Sequence, residues 1–277
     1  MKSTVSLAGR IVITGILTIV AVSALYPLFF MLVTSLRSQS EYIRDPLSLP
    51  AHWTDIDNYV AMVNRFDLPR LFANSVVYVA VAWLICLAVS LPAAFAFAKL
   101  EFPGRRAVFI AMIATLAIPG ITFIIPDYVL LADVGLIDSP ISVILVWAAT
   151  GVPGTVFLLA AFMRALPGDV IDAAAVDGAG YFQAMRRVIL PMSVPAIVTV
   201  TIFNVTGWWN DLLTPLVFLQ SDQQATVTLG AATVVTRYGS DLPLLVTGLV
   251  LAALPPVLVY IVAQRYIRRG LVLGAVR

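Results

Sequence analysis

The sequence predicts an all-α, polytopic membrane protein with six transmembrane helices, and three observations support this prediction. Hydrophobic residues make up 61% of the 277-residue chain and charged residues 12%, whereas soluble domains carry about 25% charged residues. Six apolar stretches are each long enough to cross a bilayer, which takes about 20 residues. Lipid offers the backbone no hydrogen-bond partners, so such stretches form helices. We therefore expect a single transmembrane domain over residues 1–277.

The predicted spans follow one another along the whole chain, with polar connections between them. They cover residues 11–36, 72–98, 107–126, 141–163, 194–219 and 244–264. Each contains at least one proline, which removes a backbone hydrogen bond and kinks a helix. The first stretch follows a basic N-terminus, as a signal peptide would, but its apolar part is longer than the roughly 7–15 residues of a signal core. We expect it to be retained as the first span.

Basic residues are distributed unevenly between the two sets of connections. If the N-terminus is cytoplasmic, twelve of the 17 Lys and Arg residues lie on the cytoplasmic side. The external connection after the third span contains Asp127, Asp133 and Asp138 and no basic residue. Because cytoplasmic connections are enriched in Lys and Arg, both termini are predicted to face the cytoplasm. The polar segment 164–191 falls on the same side.

Composition excludes several functional classes. Cys86 is the single cysteine, so no intrachain disulfide can form. The net charge of +2 is small and scattered, and we expect no nucleic-acid partner. Neither of the two lysines, Lys2 and Lys99, follows the glycines of a P-loop, so the chain has no ATP site of its own. The lone histidine, His52, has no metal-binding neighbours, and neither a metal site nor a catalytic residue is predicted.

Segment 164–191 is the longest polar interruption in the second half of the chain. A Leu-Pro-Gly sequence breaks the preceding helix, and Asp169 is placed to cap the amides of a new one. Gly178 follows this short helix at a position that favours a residue tolerant of positive φ. A second helix is predicted at 181–189, with Pro191 stopping it. The pattern predicts a short helix, a glycine turn and another short helix.

These residues resemble the EAA loop of ABC importer permeases, and match best the second permease subunit of the maltose-type sugar importers. The family signature is E-A-A, three residues, G, nine residues and I-x-L-P; here Asp replaces Glu, Val replaces Ile, and the spacing is kept. The resemblance implies that residues 164–192 couple the chain to an ATPase. The coupling residues it implies are Asp172, Ala173, Ala174, Asp177, Gly178, Leu190 and Pro191. The alternative is a solvated, alanine-rich connection between two spans.

The resemblance also implies partners and a cellular location. The importer would consist of this chain, a second homologous permease, two cytoplasmic ATPases and an extracytoplasmic solute-binding protein. ATP and Mg would be bound by the ATPase subunits, so the chain itself would have no cofactor and would not be an enzyme. The substrate would be a carbohydrate or a related solute. The location would be the cytoplasmic (inner) membrane of a bacterium or archaeon, with the chain embedded in the lipid bilayer.

The fifth predicted span holds a polar and aromatic cluster near its external end. Its members are Asn204, Trp208, Trp209, Asn210 and Asp211. Asp211 is the single acid inside a predicted span, where a charge is costly and indicates function by default. In one interpretation the tryptophans stack on sugar rings and the Asn and Asp side chains bind hydroxyls along the solute path. In the other, which we favour slightly, the tryptophans form an interfacial belt and the polar residues tie helices together.

Two further segments extend the resemblance. The external segment 220–243 is longer than two adjacent helices need, and the corresponding loop of the maltose-type family enters the cleft of the binding protein. The alternative is a flexible connection. The basic tail at 264–277 resembles the family's C-terminus, which lies between the two ATPase subunits, although its charges alone indicate only attachment to the membrane surface.

Three other classes of membrane protein are alternatives to the importer. An ion-gradient-driven carrier requires several buried ionisable groups and often an internal repeat, and the sequence offers one such group and no repeat. An intramembrane protease requires paired catalytic residues on facing spans, and no histidine lies in a span. A membrane scaffold that transports nothing is disfavoured only weakly, by the prolines in every span.

Overall fold

The computed structural model describes residues 7–170, 176, 178–238 and 241–274, and this part of the chain contains helices and no strands. The first half contains α1 (Leu7–Ser35), α2 (Gln39–Arg44), α3 (Asp57–Phe66), α4 (Leu68–Lys99), α5 (Arg105–Ala114) and α6 (Ile124–Asp133). The second half contains α7 (Pro140–Ala165), α8 (Tyr181–Met192), α9 (Val194–Asn210), α10 (Leu213–Phe218), α11 (Val227–Tyr238) and α12 (Leu242–Gly274). Short 3₁₀ turns occupy Thr115–Ala117, Gly120–Phe123 and Asp222–Gln224.

The long apolar helices confirm the all-α, multi-span prediction. Within the described residues, four helices are long and apolar enough to cross a membrane, and six spans result if each of two bent helix pairs counts as one. The four are α1, α4, α7 and α12, and each continues through internal proline. Membrane helices tolerate internal proline where neighbouring helices, hydroxyl side chains or water satisfy the freed carbonyl.

The third predicted span is broken, so the prediction of one helix at 107–126 is wrong. Arg105–Ala117 and Gly120–Asp133 meet at 96°, and Ile118 between them is extended (φ −90°, ψ 122°). The break has a local cause: a residue before proline avoids helical geometry, and Pro119 itself has no amide to donate. The second limb continues to Asp133, so the helix also extends beyond the predicted end of the span.

The fifth predicted span, 194–219, is also not one helix. α9 stops at Asn210, and the extended Asp211 separates it from α10. Just before the span, α8 and α9 meet at 75°, and this break lies at Ser193 and not at Pro191, which is itself helical. The prediction that Pro191 stops the helix is therefore wrong by two residues.

The chain divides into two compact units, Met1–Leu68 with Gly230–Ala253, and Pro69–Leu229 with Leu254–Arg277. In the first unit Arg37 is 1% exposed, and its guanidinium donates to the carbonyls of Glu41, Asp45 and Pro46 and to Ser48 Oγ. This buried cation holds the residues that follow α1.

The second unit contains a core of apolar side chains from α4, α7, α8 and α9. Its buried members are Leu87, Ala94, Phe95, Phe97, Val156, Leu159, Ala160, Met163, Met185, Ile189 and Val200. Two of these, Met185 and Ile189, come from segment 164–191 and the other nine come from α4, α7 and α9, so the second helix of the segment is packed into the body of the unit.

Segment 220–243 is largely structured, so the alternative of a flexible connection is wrong for its described part. Val227–Tyr238 is helical, and the residues before it are fixed by Asn74, whose side-chain amide donates to the carbonyls of Gln223 and Ala225 (2.9 Å each). Whether this segment enters a binding-protein cleft remains a prediction.

Asp138 anchors the beginning of the same segment. Its carboxylate accepts hydrogen bonds from the amides of Ser221 (2.8 Å) and Gln220 (2.9 Å) and from Ser221 Oγ (3.0 Å). The Ser221 amide, the Gln220 amide and the Ser221 hydroxyl together hold the pKa of Asp138 below its ordinary value, because they stabilise the ionised form against partial desolvation.

Candidate functional site

The predicted coupling segment begins where the C-terminal ends of two long helices, α4 and α7, are joined by side-chain hydrogen bonds. Lys99 Nζ, at the end of α4, donates to the carbonyl of Leu166 (2.8 Å) just beyond α7. Arg164, in the last turn of α7, donates in return to the carbonyl of Phe97 (3.3 Å), and its guanidinium lies 4.6 Å from the Phe109 ring centroid. Cations at helix C-termini satisfy carbonyls that have no partner within the helix. The two helix ends are therefore linked by side-chain hydrogen bonds in both directions.

Four of the seven predicted coupling residues, Asp172, Ala173, Ala174 and Asp177, lie outside the described residues. Gly178 is described, and its φ of +81° confirms the predicted left-handed turn. Nothing lies within 4 Å of the position that a Cβ would take there. Glycine is therefore required at 178 by the backbone conformation and not by crowding.

α8, which follows the glycine turn, is anchored on one face and open on the other. Met185 is 8% exposed and Ile189 is fully buried, and both belong to the core of the second unit. Tyr181 and Phe182, at the start of α8, are 71% and 72% exposed. An exposed aromatic pair outside the apolar spans is typical of an interaction surface. The sequence analysis missed this pair, although two aromatics directly after Gly178-Ala-Gly180 were a signal for it.

The end of α8 connects the coupling segment to α9. Met185–Ile189 forms a π-helical turn, a geometry frequent at functional sites. Of the remaining predicted coupling residues, Leu190 is half-buried against the core and Pro191 is exposed. Through Met185 and Ile189, α8 belongs to the same buried core as the side chains of α4, α7 and α9.

Asn204 and Trp208, from the fifth-span cluster, are engaged with α7. Asn204 Nδ2 donates to Thr155 Oγ1 (2.8 Å). The Trp208 indole is 8% exposed and stacks on Trp147, with centroids 6.3 Å apart and planes inclined by 10°. It also covers Gly151, where a Cβ would lie 2.6 Å from the ring. Both side chains hold α9 against α7.

Asp211 has three donors within the described structure. Its Oδ2 accepts from Trp147 Nε1 (2.7 Å), and its Oδ1 accepts from the amides of Leu213 (2.9 Å) and Thr214 (3.2 Å) at the start of α10. These bonds satisfy a carboxylate that would be costly in lipid. They also fix the angle at which the chain leaves α9.

The other two residues of the cluster face different surroundings. Trp209 is 6% exposed and packs on Phe72, with ring centroids 5.9 Å apart. Asn210 is exposed, and its side chain donates to the carbonyl of Thr206 in its own helix (2.9 Å). The structure thus places the five cluster residues on several surfaces and does not gather them around one cavity. Their role along a solute path stays a prediction.

No group of three His, Cys, Asp or Glu side chains that could hold a metal ion occurs in the part of the chain that the structure describes.

The comparisons with known proteins agree with this architecture. The model for binding-protein-dependent transport system inner membrane components matches residues 88–272. The diacetylchitobiose uptake system permease protein NgcG of Streptomyces coelicolor is 34% identical over 265 residues, covering 95% of this chain and 87% of that protein. The arabinooligosaccharides transport system permease protein AraQ of Bacillus subtilis is 29% identical over 271 residues, covering 97% and 96% of the two chains.

A solved structure has the same fold. One chain of a bacterial ABC transporter involved in the import of the acidic polysaccharide alginate superposes with a TM-score of 0.81 at 22% identity, covering 94% of this chain and 98% of that chain. From the matched family model and the full-length relatives, this chain belongs to the family of binding-protein-dependent transport system inner membrane components.

Proposed function

We propose that this chain is a permease subunit of an ATP-driven, binding-protein-dependent importer and forms half of a channel for a carbohydrate. The observation that carries the proposal is the family match over residues 88–272 together with similarity over nearly the whole chain to permeases named for diacetylchitobiose and arabinooligosaccharide uptake. An oligosaccharide or a related polyhydroxylated solute is the substrate class that these relatives support.

The remaining subunits supply energy and selectivity. A second permease completes the channel, two cytoplasmic ATPases bind ATP and Mg, and an extracytoplasmic binding protein delivers the solute. Both termini of this chain and segment 164–192 face the cytoplasm. The exposed Tyr181 and Phe182 contact the ATPase, and the buried Met185 and Ile189 pass its movement to α4, α7 and α9. The basic tail lies against the ATPases.

Reconstitution of the complete complex tests this function. The parental complex in liposomes, with its loaded binding protein outside and ATP inside, is expected to accumulate labelled oligosaccharide. Accumulation should require ATP and binding protein and should persist when ionophores collapse ion gradients. Uptake that needs no ATP and stops with the ionophore would instead identify an ion-gradient-driven carrier, the alternative class.

A further inference from the structure

A cavity of about 430 Å³ opens at the break between the two limbs of the third span. Its walls come from both sides of the break and from the facing stretch of α7. The side chains that matter for its chemistry are Thr115, Leu116, Phe123, Asp127, Thr150 and Pro153. The cavity is separate from the cluster at 204–211, none of whose members lines it.

Asp127 lines this cavity with a carboxylate that has no hydrogen-bond donor or ion-pair partner among the described residues. The residue is half-buried and lies in the limb Gly120–Asp133, which belongs to a candidate span. Asp211, by contrast, has three donors. The sequence analysis placed Asp127 in the connection after the third span because it ended that span at Pro126, whereas the helix continues to Asp133.

Two properties of this site, a carboxylate unpaired within the described part of the chain and a stretch of non-helical backbone, are costly in lipid unless water is present. The ionised carboxylate of Asp127 is the first, because ionised groups in membrane spans face a water-filled path or the interior of the protein. The non-helical backbone at Ile118 and Pro119 is the other, since non-helical segments at membrane depth are tolerated where they are buried in protein or line a water-filled cavity. Broken helices in transporters supply their binding groups at such points.

We propose that this cavity is a solute-binding part of the import path, with Asp127 as a specificity-determining residue that accepts hydrogen bonds from sugar hydroxyls. The carboxylate offers only acceptors, and sugar hydroxyls are donors. Thr115 Oγ1 and Thr150 Oγ1 donate to carbonyls of Met112 and Val146 in their own helices (2.7 and 2.8 Å), which leaves their lone pairs free for further hydroxyls. Phe123 and Leu116 supply an apolar wall for the ring faces. The carbohydrate class rests on the proposed function.

Thiol labelling tests whether the cavity is aqueous, independently of what is transported. In a Cys86→Ser background, Asp127→Cys is expected to react with an impermeant thiol reagent supplied to both sides of membrane vesicles. Ile125→Cys is the matched control, because Ile125 is 75% exposed, does not line the cavity, and points roughly opposite to Asp127 on the helix. We expect it to stay unlabelled. Absence of labelling at 127, or equal labelling at both positions, overturns the proposal.

Uptake kinetics in the complete complex test the binding role. Asp127→Leu should raise the apparent KM for the oligosaccharide about tenfold or more, since a hydrogen bond to a charged group is lost, and Asp127→Asn should raise it less because one acceptor oxygen remains. Asp133→Asn, at the exposed end of the same helix, should keep the parental KM. ATPase retention should be unchanged in all three.

A parental KM in Asp127→Leu, with a transporting parental complex, overturns the site while leaving the proposed function intact. If the parental complex transports no carbohydrate, the proposed function fails, and labelling at 127 still decides whether the cavity is aqueous.

Discussion

Single residues determine how closely α9 approaches α7. Because Gly151 has no Cβ, the Trp208 ring can lie directly against α7 at this point. A Cβ added at Gly151 would lie 2.6 Å from Trp208 Cζ2 and 3.3 Å from Cys86 Sγ. Contacts that short force either the ring or the helix to move, and overpacking of this kind costs about 1–3 kcal/mol. The stacked Trp147 on the far side of Trp208 leaves the ring little freedom to yield.

Gly151→Ala should therefore lower the melting temperature of the detergent-solubilised complex. Gly207→Ala is the matched control, because Gly207 lies beside Trp208 and has no atom within 4 Å of a built Cβ. Alanine is favoured over glycine in a helix by about 1 kcal/mol, so the control should be neutral or slightly stabilising. Thermal unfolding followed by tryptophan fluorescence measures both, and an equal effect of the two substitutions would contradict the packing argument.

Asp138 gives the beginning of segment 220–243 a dependence on pH. Its pKa is lower in the folded protein than in the unfolded chain, where it is about 3.9. The stabilisation is therefore complete above the unfolded-state pKa and is lost as the pH falls through the folded-state pKa. Asn at 138 keeps an acceptor and tolerates the positive φ of 56°, but it does not titrate.

Hydrogen-exchange protection of the Gln220 and Ser221 amides measures this effect. In the parental protein, protection should be constant near neutral pH and fall in the acid range. In Asp138→Asn it should be lower at neutral pH and show no such fall. An identical acid profile in the two proteins would mean that another group controls this tether.

At the scale of elements, the sequence predicted where the helices lie better than where they break. Pro92 and Pro153 lie inside continuous helices, whereas Pro119 separates two limbs at 96°. Glycine follows both Pro119 and Pro153, as Gly120 and Gly154, so a Pro-Gly pair, which removes a donor and adds backbone freedom at the same point, does not by itself predict a break. Whether such a pair kinks or breaks a span depends on the packing around it, which one sequence does not contain.

In the coupling segment, too, the sequence predicted the local backbone features but not the features that depend on packing. The left-handed turn at Gly178 follows from local backbone sterics, and the sequence was sufficient to predict it. The burial of Met185 and Ile189 had a signal in their spacing of four residues. The side of α8 that would be covered depends on the helices it meets, so the exposure of Tyr181 and Phe182 required the structure.

Gly178→Ala should weaken coupling of ATP hydrolysis to uptake. The substitution strains the turn by about 1 kcal/mol because φ is +81°, and this strain changes the angle at which α8 leaves the segment. Gly180→Ala is the matched control, with φ −69° and open space around the Cβ position. Copurified ATPase, hydrolysis stimulated by loaded binding protein, and uptake are compared in the two variants. Parental values in both would show that the turn does not transmit movement.

At the scale of the whole molecule, charge and apolar surface together determine insertion. Large hydrophobic side chains along α1, such as Ile19 and Leu17, are more than 60% exposed. In the most apolar 18-residue stretch of this helix, 6% of the residues are buried inside the protein. Lipid or a partner permease must cover such a surface. The excess of basic residues in one set of connections then predicts that segment 164–192 and both termini are cytoplasmic.

Cysteines placed on opposite sides of the membrane test this orientation. In a Cys86→Ser background, Gln223→Cys lies at an exposed position that is predicted to be external, and Gly168→Cys lies at an exposed position that is predicted to be cytoplasmic, with no atom within 4 Å of the Cβ. An impermeant thiol reagent should label Gln223→Cys in intact spheroplasts. Gly168→Cys should be labelled only in inside-out vesicles from which the ATPase has been washed, because a docked ATPase would shield it. The reverse pattern would place segment 164–192 outside, where no ATP is available, and would remove the physical basis for coupling through α8.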